Sequence, residues 1–506
     1  MNYADLFRVT LPETILEIAA LFALVFDLGF LRKAGLQLRL AVAAIVGIAG
    51  CGIAIWSLSI QGSTGLSYGA DNALTLLGVG GYIAAAQVGI LVLTALTLLL
   101  LTGSVFTRHA GEYVAVVLMA AAGGLLIAAA QDLLVIFIGL ELLSLGLYIL
   151  AAFAKASPKS AEAAMKYYLF GGMSAAFLLF GFSFLYGITG STNLHQILLE
   201  LHKGELYQAT PLLNVSVVLI VAGLGFKVAA VPFHLWAPDA YEGAPAPAAA
   251  FIASVSKVAS FALLIGIASA AAHVFDPSGV PAPGAQEPVH LGFGGPWMVL
   301  LVTLATASMV LGNLAALAQI SVRRLLAYSA IAHAGYMLTA VAYFSYSPLS
   351  TNAILYYILT YGLTTIGAFG AIAVVERATG SDRLDAFLGL HTRNPLLASV
   401  LLVLFLSLAG IPPLVGFWAK FNLFAAVLRV SAGVVPFTLV ALAVAMSAVS
   451  LYYYLQVLKR AYVMPAVDET PIKAHPATMI VLVAIAVAVV LLGCFPALLQ
   501  NWIASF

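Results

Sequence analysis

Five side chains that carry or can carry charge stand inside long apolar stretches of this chain: Glu141, Lys227, Lys257, His333 and Lys420. A charged side chain at the centre of a membrane span costs about 3 kcal/mol on insertion scales, so each needs a partner or a task. A carboxylate, amines and an imidazole can take up and release protons, and an imidazole with an ordinary pKa of about 6.5 suits a relay. Each also has a plainer reading. Glu141, in Ile138-Gly-Leu-Glu-Leu-Leu-Ser144, can belong to a structural ion pair, with Ser144 its one local partner a turn away. Lys257 lies among Ser254, Ser256 and Ser260, which implies a hydrated setting, and His333 can be a core histidine bonded to a neighbouring hydroxyl.

Lys227 and Lys420 each sit beside a helix break. Pro232 cuts the apolar run that carries Lys227, and Pro412-Pro413 precedes Lys420. Proline removes a helix hydrogen bond and clashes with the turn before it. At membrane depth such breaks are tolerated where the freed backbone lines a cavity or an ion path, so a lysine beside a break, twice over, points to transport. Proline follows the lysine in one case and precedes it in the other, so residue-by-residue symmetry is not expected. His234 and Trp236 read as parts of a cytoplasmic turn after Pro232.

Composition dictates the elements that must position these groups. Of 506 residues, 63% are hydrophobic and 8% charged, with a mean hydropathy of +1.09. Soluble domains are about 45–50% apolar and about 25% charged, so this is an all-α, polytopic membrane protein. A net charge of +1 without dense Lys/Arg runs gives no signal for nucleic acid. Cys51 and Cys494, one near each end, cannot build a zinc or iron–sulfur site, so the chain is expected to hold no cofactor. Glu13 and Glu17 stand where a signal peptide would need other residues, and the first span is expected to stay.

Apolar runs of about 20 residues give about fourteen spans. They lie near 10–31, 39–60, 78–103, 112–130, 132–154, 162–190, 212–232, 246–274, 296–318, 323–344, 351–376, 395–430, 433–458 and 477–500, the twelfth broken by its prolines. Nearly all loop lysines and arginines then fall in odd-numbered loops, and the even loops hold only Lys203 and Arg429. The positive-inside bias puts the odd loops in the cytoplasm and both termini on the other side. Ser160 is a candidate cap for the sixth span and Asp132 for the fifth. Asp27 and Glu17 read as buried pairs or subunit contacts, Tyr452-Tyr-Tyr454 as interface anchors, and Leu384 to Leu390 as a surface helix or a solvated loop.

Gly225-Phe-Lys227 with Val231-Pro-Phe-His-Leu-Trp-Ala-Pro-Asp-Ala-Tyr-Glu-Gly-Ala-Pro245, Ser256-Lys257, Arg324-Leu-Leu-Ala-Tyr-Ser-Ala-Ile-Ala-His-Ala-Gly-Tyr336, and Leu408-Ala-Gly-Ile-Pro-Pro413 with Gly416-Phe-Trp-Ala-Lys420 form a set with a strong resemblance. It resembles the antiporter-like subunits of proton-pumping NADH:quinone oxidoreductase, respiratory complex I, and among them subunit N. Lys420 stands where subunit M carries a glutamate, and the chain ends without the lateral-helix extension of subunit L.

The resemblance implies two inverted five-helix repeats, 112–274 and 296–463, each with a broken helix, between N-terminal helices in 1–111 and a last helix in 476–506. It implies that Glu141, Lys227, Lys257, His333 and Lys420 line a mid-membrane proton path. The implied setting is the bacterial inner membrane, beside other complex I membrane subunits, including neighbouring antiporter-like ones. NADH, flavin, iron–sulfur clusters and quinone are implied only in partner subunits. At about 6 Å and an effective dielectric of about 20, a Glu–Lys pair is worth roughly 2.8 kcal/mol, enough for one group's charge to govern its neighbour's. A subunit of a multisubunit cation/proton antiporter is the alternative.

Overall fold

The computed structural model describes residues 7–63, 76–101, 103, 106–202, 210–275, 294–344, 348–430, 433–466 and 468–506. Among these the chain is almost wholly helical, with three isolated β-bridges. Twelve helices are long and apolar enough to cross a membrane. Two further crossings complete the expected fourteen: Leu11–Val25 continued by a π-turn at Phe26–Phe30, and the half-helices Pro395–Ala409 and Val415–Val430. Lys203 lies outside the described residues.

Helices that are apolar all round belong at the centre of a bundle. Ala246–Ala271, Val322–Ala342 and Leu349–Thr379 are 94%, 89% and 89% buried, whereas Val434–Tyr462 is 28% buried and lies at the rim. The central three, the eighth, tenth and eleventh spans, are the ones that carry Lys257 and His333 and surround them.

The seventh span does not end at Pro232. Helix Thr210–Val228 stops, an irregular linker follows, and helix Trp236–Gly243 resumes before the eighth span starts at Ala246. Lys257 lies about 17 Å along the axis from Ala246 at 1.5 Å per residue, and it touches the carbonyl of Val228, so the break sits at mid-bundle depth. His234 and Trp236 are therefore buried at that depth and do not form a cytoplasmic turn, while Pro232 stays exposed beside them. The eighth span is itself interrupted: Ala246–Ala253 and Val255–Phe275 meet at Ser254, with φ −114° and ψ −75°. No proline or glycine in the sequence marks that point.

Other local readings sort differently. Asp132 caps the fifth span, accepting from the Leu134 amide at 2.8 Å. Ser157, not Ser160, caps the sixth, while Ser160 donates to the Ala151 carbonyl. Asp27 is a buried pair: Arg39 donates to its two oxygens at 2.6 and 2.8 Å, and the Gly111 amide adds a third donor at 2.8 Å. Of the three tyrosines near the end of the thirteenth span, only Tyr452 faces outward, because Tyr453 and Tyr454 are fully buried and bonded to Asn313 and Ser329. Segment 384–393 is a short 3-10 turn followed by a single helical turn, anchored by buried Phe387 and Leu390.

Candidate functional site

Glu141, Ser144 and Tyr148 follow one another at i, i+3 and i+7 along helix Leu133–Ala151 and so share a face. Lys227, in the last turn of Thr210–Val228, reaches that face: its Nζ donates to Ser144 Oγ at 2.5 Å. Ser144 Oγ in turn donates to the Leu140 carbonyl. Among the described residues Glu141 makes no ion pair, although it is half-buried on the same stripe. The serine therefore serves the lysine rather than the glutamate. Tyr148 is held close by the bare backbone of Gly171, where a Cβ would collide with its hydroxyl.

Beyond Val228 the chain turns through Ala229, a non-glycine residue at φ +59°. That conformation costs a side-chain-bearing residue roughly 1–2 kcal/mol. The groups freed by the break are collected locally. The Ala230 amide donates back to Gly225 O at 2.8 Å, Trp236 Nε1 donates to Phe226 O at 3.0 Å, and the Val231 amide donates across the bundle to Ser308 Oγ at 2.9 Å. Trp236 also stacks on Tyr167 at 4.1 Å. These contacts account for a break that persists in a low-dielectric interior.

Lys257, 2% exposed, bridges the two halves of the molecule. Its Nζ donates to Val228 O at 3.4 Å and to Ala330 O, on the tenth span, at 2.7 Å. A cation at the carbonyl end of a half-helix is well placed against the helix dipole. The surrounding serines do not hydrate it: Ser254 donates to Ala250 O and Ser260 to Ser256 O within their own helix. The polar environment of this lysine is made of backbone carbonyls and the Tyr361 ring, 5.9 Å away.

His333 is one turn beyond Ala330. Its Nδ1 lies 2.7 Å from Tyr357 Oη, and its Nε2 is buried without a partner. Tyr336, Tyr357 and Tyr361 surround the imidazole with ring centroids at 5.7, 5.8 and 4.8 Å. Lys420 stands on the second half of the other broken helix. Its Nζ donates to Leu408 O at 3.1 Å, Ala409 O at 2.9 Å and Ser447 Oγ at 2.8 Å, and it lies 5.6 Å from the Tyr336 ring.

The structure thus joins Lys227 to Ser144, Lys257 to both halves, and His333 to Lys420 through the Tyr336 ring between them. Ser308, Tyr357 and Ser447 escaped the sequence reading, which placed Ser144 only as a neighbour of Glu141, because a lone hydroxyl on an apolar span has no distinctive spacing. Asn313 escaped for the same reason, and it links Tyr336 and Tyr453 at 3.0 and 3.1 Å.

A family model described as NADH:quinone oxidoreductase/Mrp antiporter, TM, matches residues 130–275 and 287–449. Subunit N 2 of the NADH-quinone oxidoreductase of Acidobacterium capsulatum is 46% identical, across 99% of this chain and 99% of its own. The chain belongs to this transmembrane family, in its subunit N group. Subunit N of Desulfovibrio desulfuricans is 38% identical over 97% of this chain and 95% of its own. Among solved structures, respiratory complex I from Thermus thermophilus with bound aureothin contains a chain with a TM-score of 0.74 and 33% identity, covering 97% of this chain and 98% of that one. A chain of the Mrp complex from Dietzia sp., at a TM-score of 0.77 and 22% identity, covers 98% of this chain and 96% of its own and shares the fold. As a subunit N family member, the chain is a membrane subunit of the proton-translocating NADH:quinone oxidoreductase.

Proposed function

We propose that Glu141, Lys227, Lys257, His333 and Lys420 carry protons across the membrane, driven by quinone reduction elsewhere in the complex. The observation that carries this reading is Lys257, whose single ammonium contacts the end of the first broken helix and the tenth span one turn from His333. A proton gained or lost there changes the field at Lys227 on one side and at His333 on the other. Ser144 and Tyr357 supply hydroxyls that accept and donate in the same step, which a relay requires.

In this reading the termini face away from the cytoplasm, and the arginine-rich loops face it. The chain divides into helices within 1–111, repeats 112–274 and 296–463, and a last helix within 476–506, a division supported by a proline-bearing break in each repeat, in the seventh and the twelfth spans. NADH, flavin, iron–sulfur clusters and quinone belong to partner subunits, and the neighbours in the membrane are other membrane subunits of the complex, antiporter-like ones among them. The extended likeness to subunit N relatives favours this reading over a cation/proton antiporter subunit acting without NADH.

The test is Lys257→Ala in the assembled complex in inverted membrane vesicles. NADH-driven proton uptake is expected to fall by about tenfold or more, equivalent to at least about 1.4 kcal/mol on the limiting step. Unchanged uptake with normal assembly would overturn the path.

A further inference from the structure

At the arginine-rich end of the bundle, a cavity of about 350 Å³ opens between the seventh-to-eighth turn, the starts of the tenth and fourteenth spans, and the end of the eleventh. That volume lies within the range of small-ligand pockets. Its walls hold hydrogen-bond donors that nothing among the described residues satisfies. Arg323 is 5% exposed: one Nη donates to Ala244 O and another to Glu376 at 3.4 Å, but Nε has no acceptor. Thr478, 7% exposed, has an unpartnered hydroxyl. It stands in the first turn of Pro476–Cys494, a helix whose N-cap, His475, supplies no side-chain acceptor. The first backbone bond of that turn comes from Met479, so the Ala477 and Thr478 amides also lack helical acceptors. Among the described residues Arg377 makes no hydrogen bond or ion pair, and it approaches Thr478 over the bare backbone of Gly103, with Nη1 3.6 Å from where a Cβ there would lie.

Three carboxylates line the same cavity, but each is already engaged. Glu242 pairs with Lys159 at 3.3 Å and Arg324 at 3.1 Å, Glu376 takes Arg323, and Asp382 accepts from Ser321. Unmet donors thus remain while the acceptors are used. An uncapped helix N-terminus adds positive potential and free amides. We infer that this cavity binds a phosphate group, held by the Thr478 hydroxyl, the first amides of the last long helix, Arg323 Nε and Arg377. Such a group would clasp the last span to the tenth and eleventh. Basic recesses between helices on the cytoplasmic face suit phospholipid headgroups, and a soluble phosphate compound offers the same chemistry.

The experiment uses the intact detergent-purified complex depleted of lipid, comparing the wild type with Arg377→Gln and Thr478→Val. Arg377 is exposed and bonds nothing among the described residues, so its replacement leaves the packing intact. Radiolabelled inorganic phosphate is measured by equilibrium dialysis, and phosphatidylglycerol is counted by native mass spectrometry. The expected result is one phosphate-bearing molecule more per wild-type complex than per variant, or an affinity about tenfold weaker in the variants. Loss confined to phosphatidylglycerol assigns a lipid headgroup, and loss that includes inorganic phosphate assigns a soluble source. Equal occupancy of wild type and both variants by both probes overturns the site and leaves the recess to water or to a neighbouring subunit.

Discussion

The two helix breaks solve one problem by different means. In the seventh span the chain reverses through Ala229 at φ +59°, and the carbonyl end of the half-helix meets Lys257, a residue from the next span. In the twelfth it reverses through Gly410 at φ +87°, and the carbonyl end meets Lys420 from its own second half. The first break therefore divides its positive charge between Lys227, which has one hydroxyl partner, and Lys257, which leans on two spans. The second concentrates it on one ammonium whose three N–H donors all have acceptors. A loosely held lysine beside a carboxylate suits a moving charge. A fully bonded one suits a station that must be actively displaced.

The comparison can be broken most sharply at Lys227. Lys227→Ala removes the one amine facing the Glu141 stripe, and proton uptake driven by NADH is expected to drop by about tenfold or more in assembled complex. Normal uptake would mean that the first break works without its own lysine. Next in size, Glu141→Gln removes the partner charge while Glu141→Asp only moves it by a methylene. The first is expected to slow turnover by about tenfold, about 1.4 kcal/mol on the limiting step, and the second by only a few-fold. Equal rates for the two would make the carboxylate structural.

The backbone offers a smaller contrast. Gly410→Ala introduces a side chain at positive φ whose Cβ would lie 3.0 Å from Lys420 Cδ and 3.2 Å from its Nζ. A stability loss of about 1–2 kcal/mol is expected by thermal melting of the complex, with impaired pumping. Ala229→Gly runs the other way, removing strain of the same kind, and is expected to leave melting unchanged or slightly raised. The smallest effect is expected from Tyr357→Phe, which deletes the hydroxyl bonded to His333 at 2.7 Å. One hydrogen bond is worth about 0.5–1.5 kcal/mol net, so uptake should fall about two- to tenfold, and no change would remove Tyr357 from the relay.

Much of this was legible in the sequence. Hydropathy alone yields fourteen crossings, because a span must be long and apolar and a loop must not. Charged residues and prolines in apolar runs stand out for the same reason, so all five candidate residues and both breaks could be found. The chain did not announce where the first break sits in depth: the stretch after Val228 looks like an exposed turn until Trp236 is seen to cap the Phe226 carbonyl and Ser308 to accept from the Val231 amide inside the bundle. Nor did it announce the interruption at Ser254, which no proline or glycine marks, or the burial of Tyr453 and Tyr454, since tyrosine near a span end serves interface and core alike. The pairing of Ser144 with Lys227 rather than Glu141 depends on how two helices cross, and no local spacing encodes that.

The most direct test concerns Lys420, the most fully bonded of the three lysines. Proton uptake and NADH-dependent quinone reduction would be measured in inverted vesicles carrying Lys420→Arg or Lys420→Ala, with assembly checked by native gel. Arginine stays protonated at any physiological pH and cannot release its proton. If protons pass through this site, the arginine variant should fail almost as badly as the alanine variant, by about tenfold or more in uptake. Full activity with arginine would contradict the account and leave Lys420 a fixed charge that caps a helix.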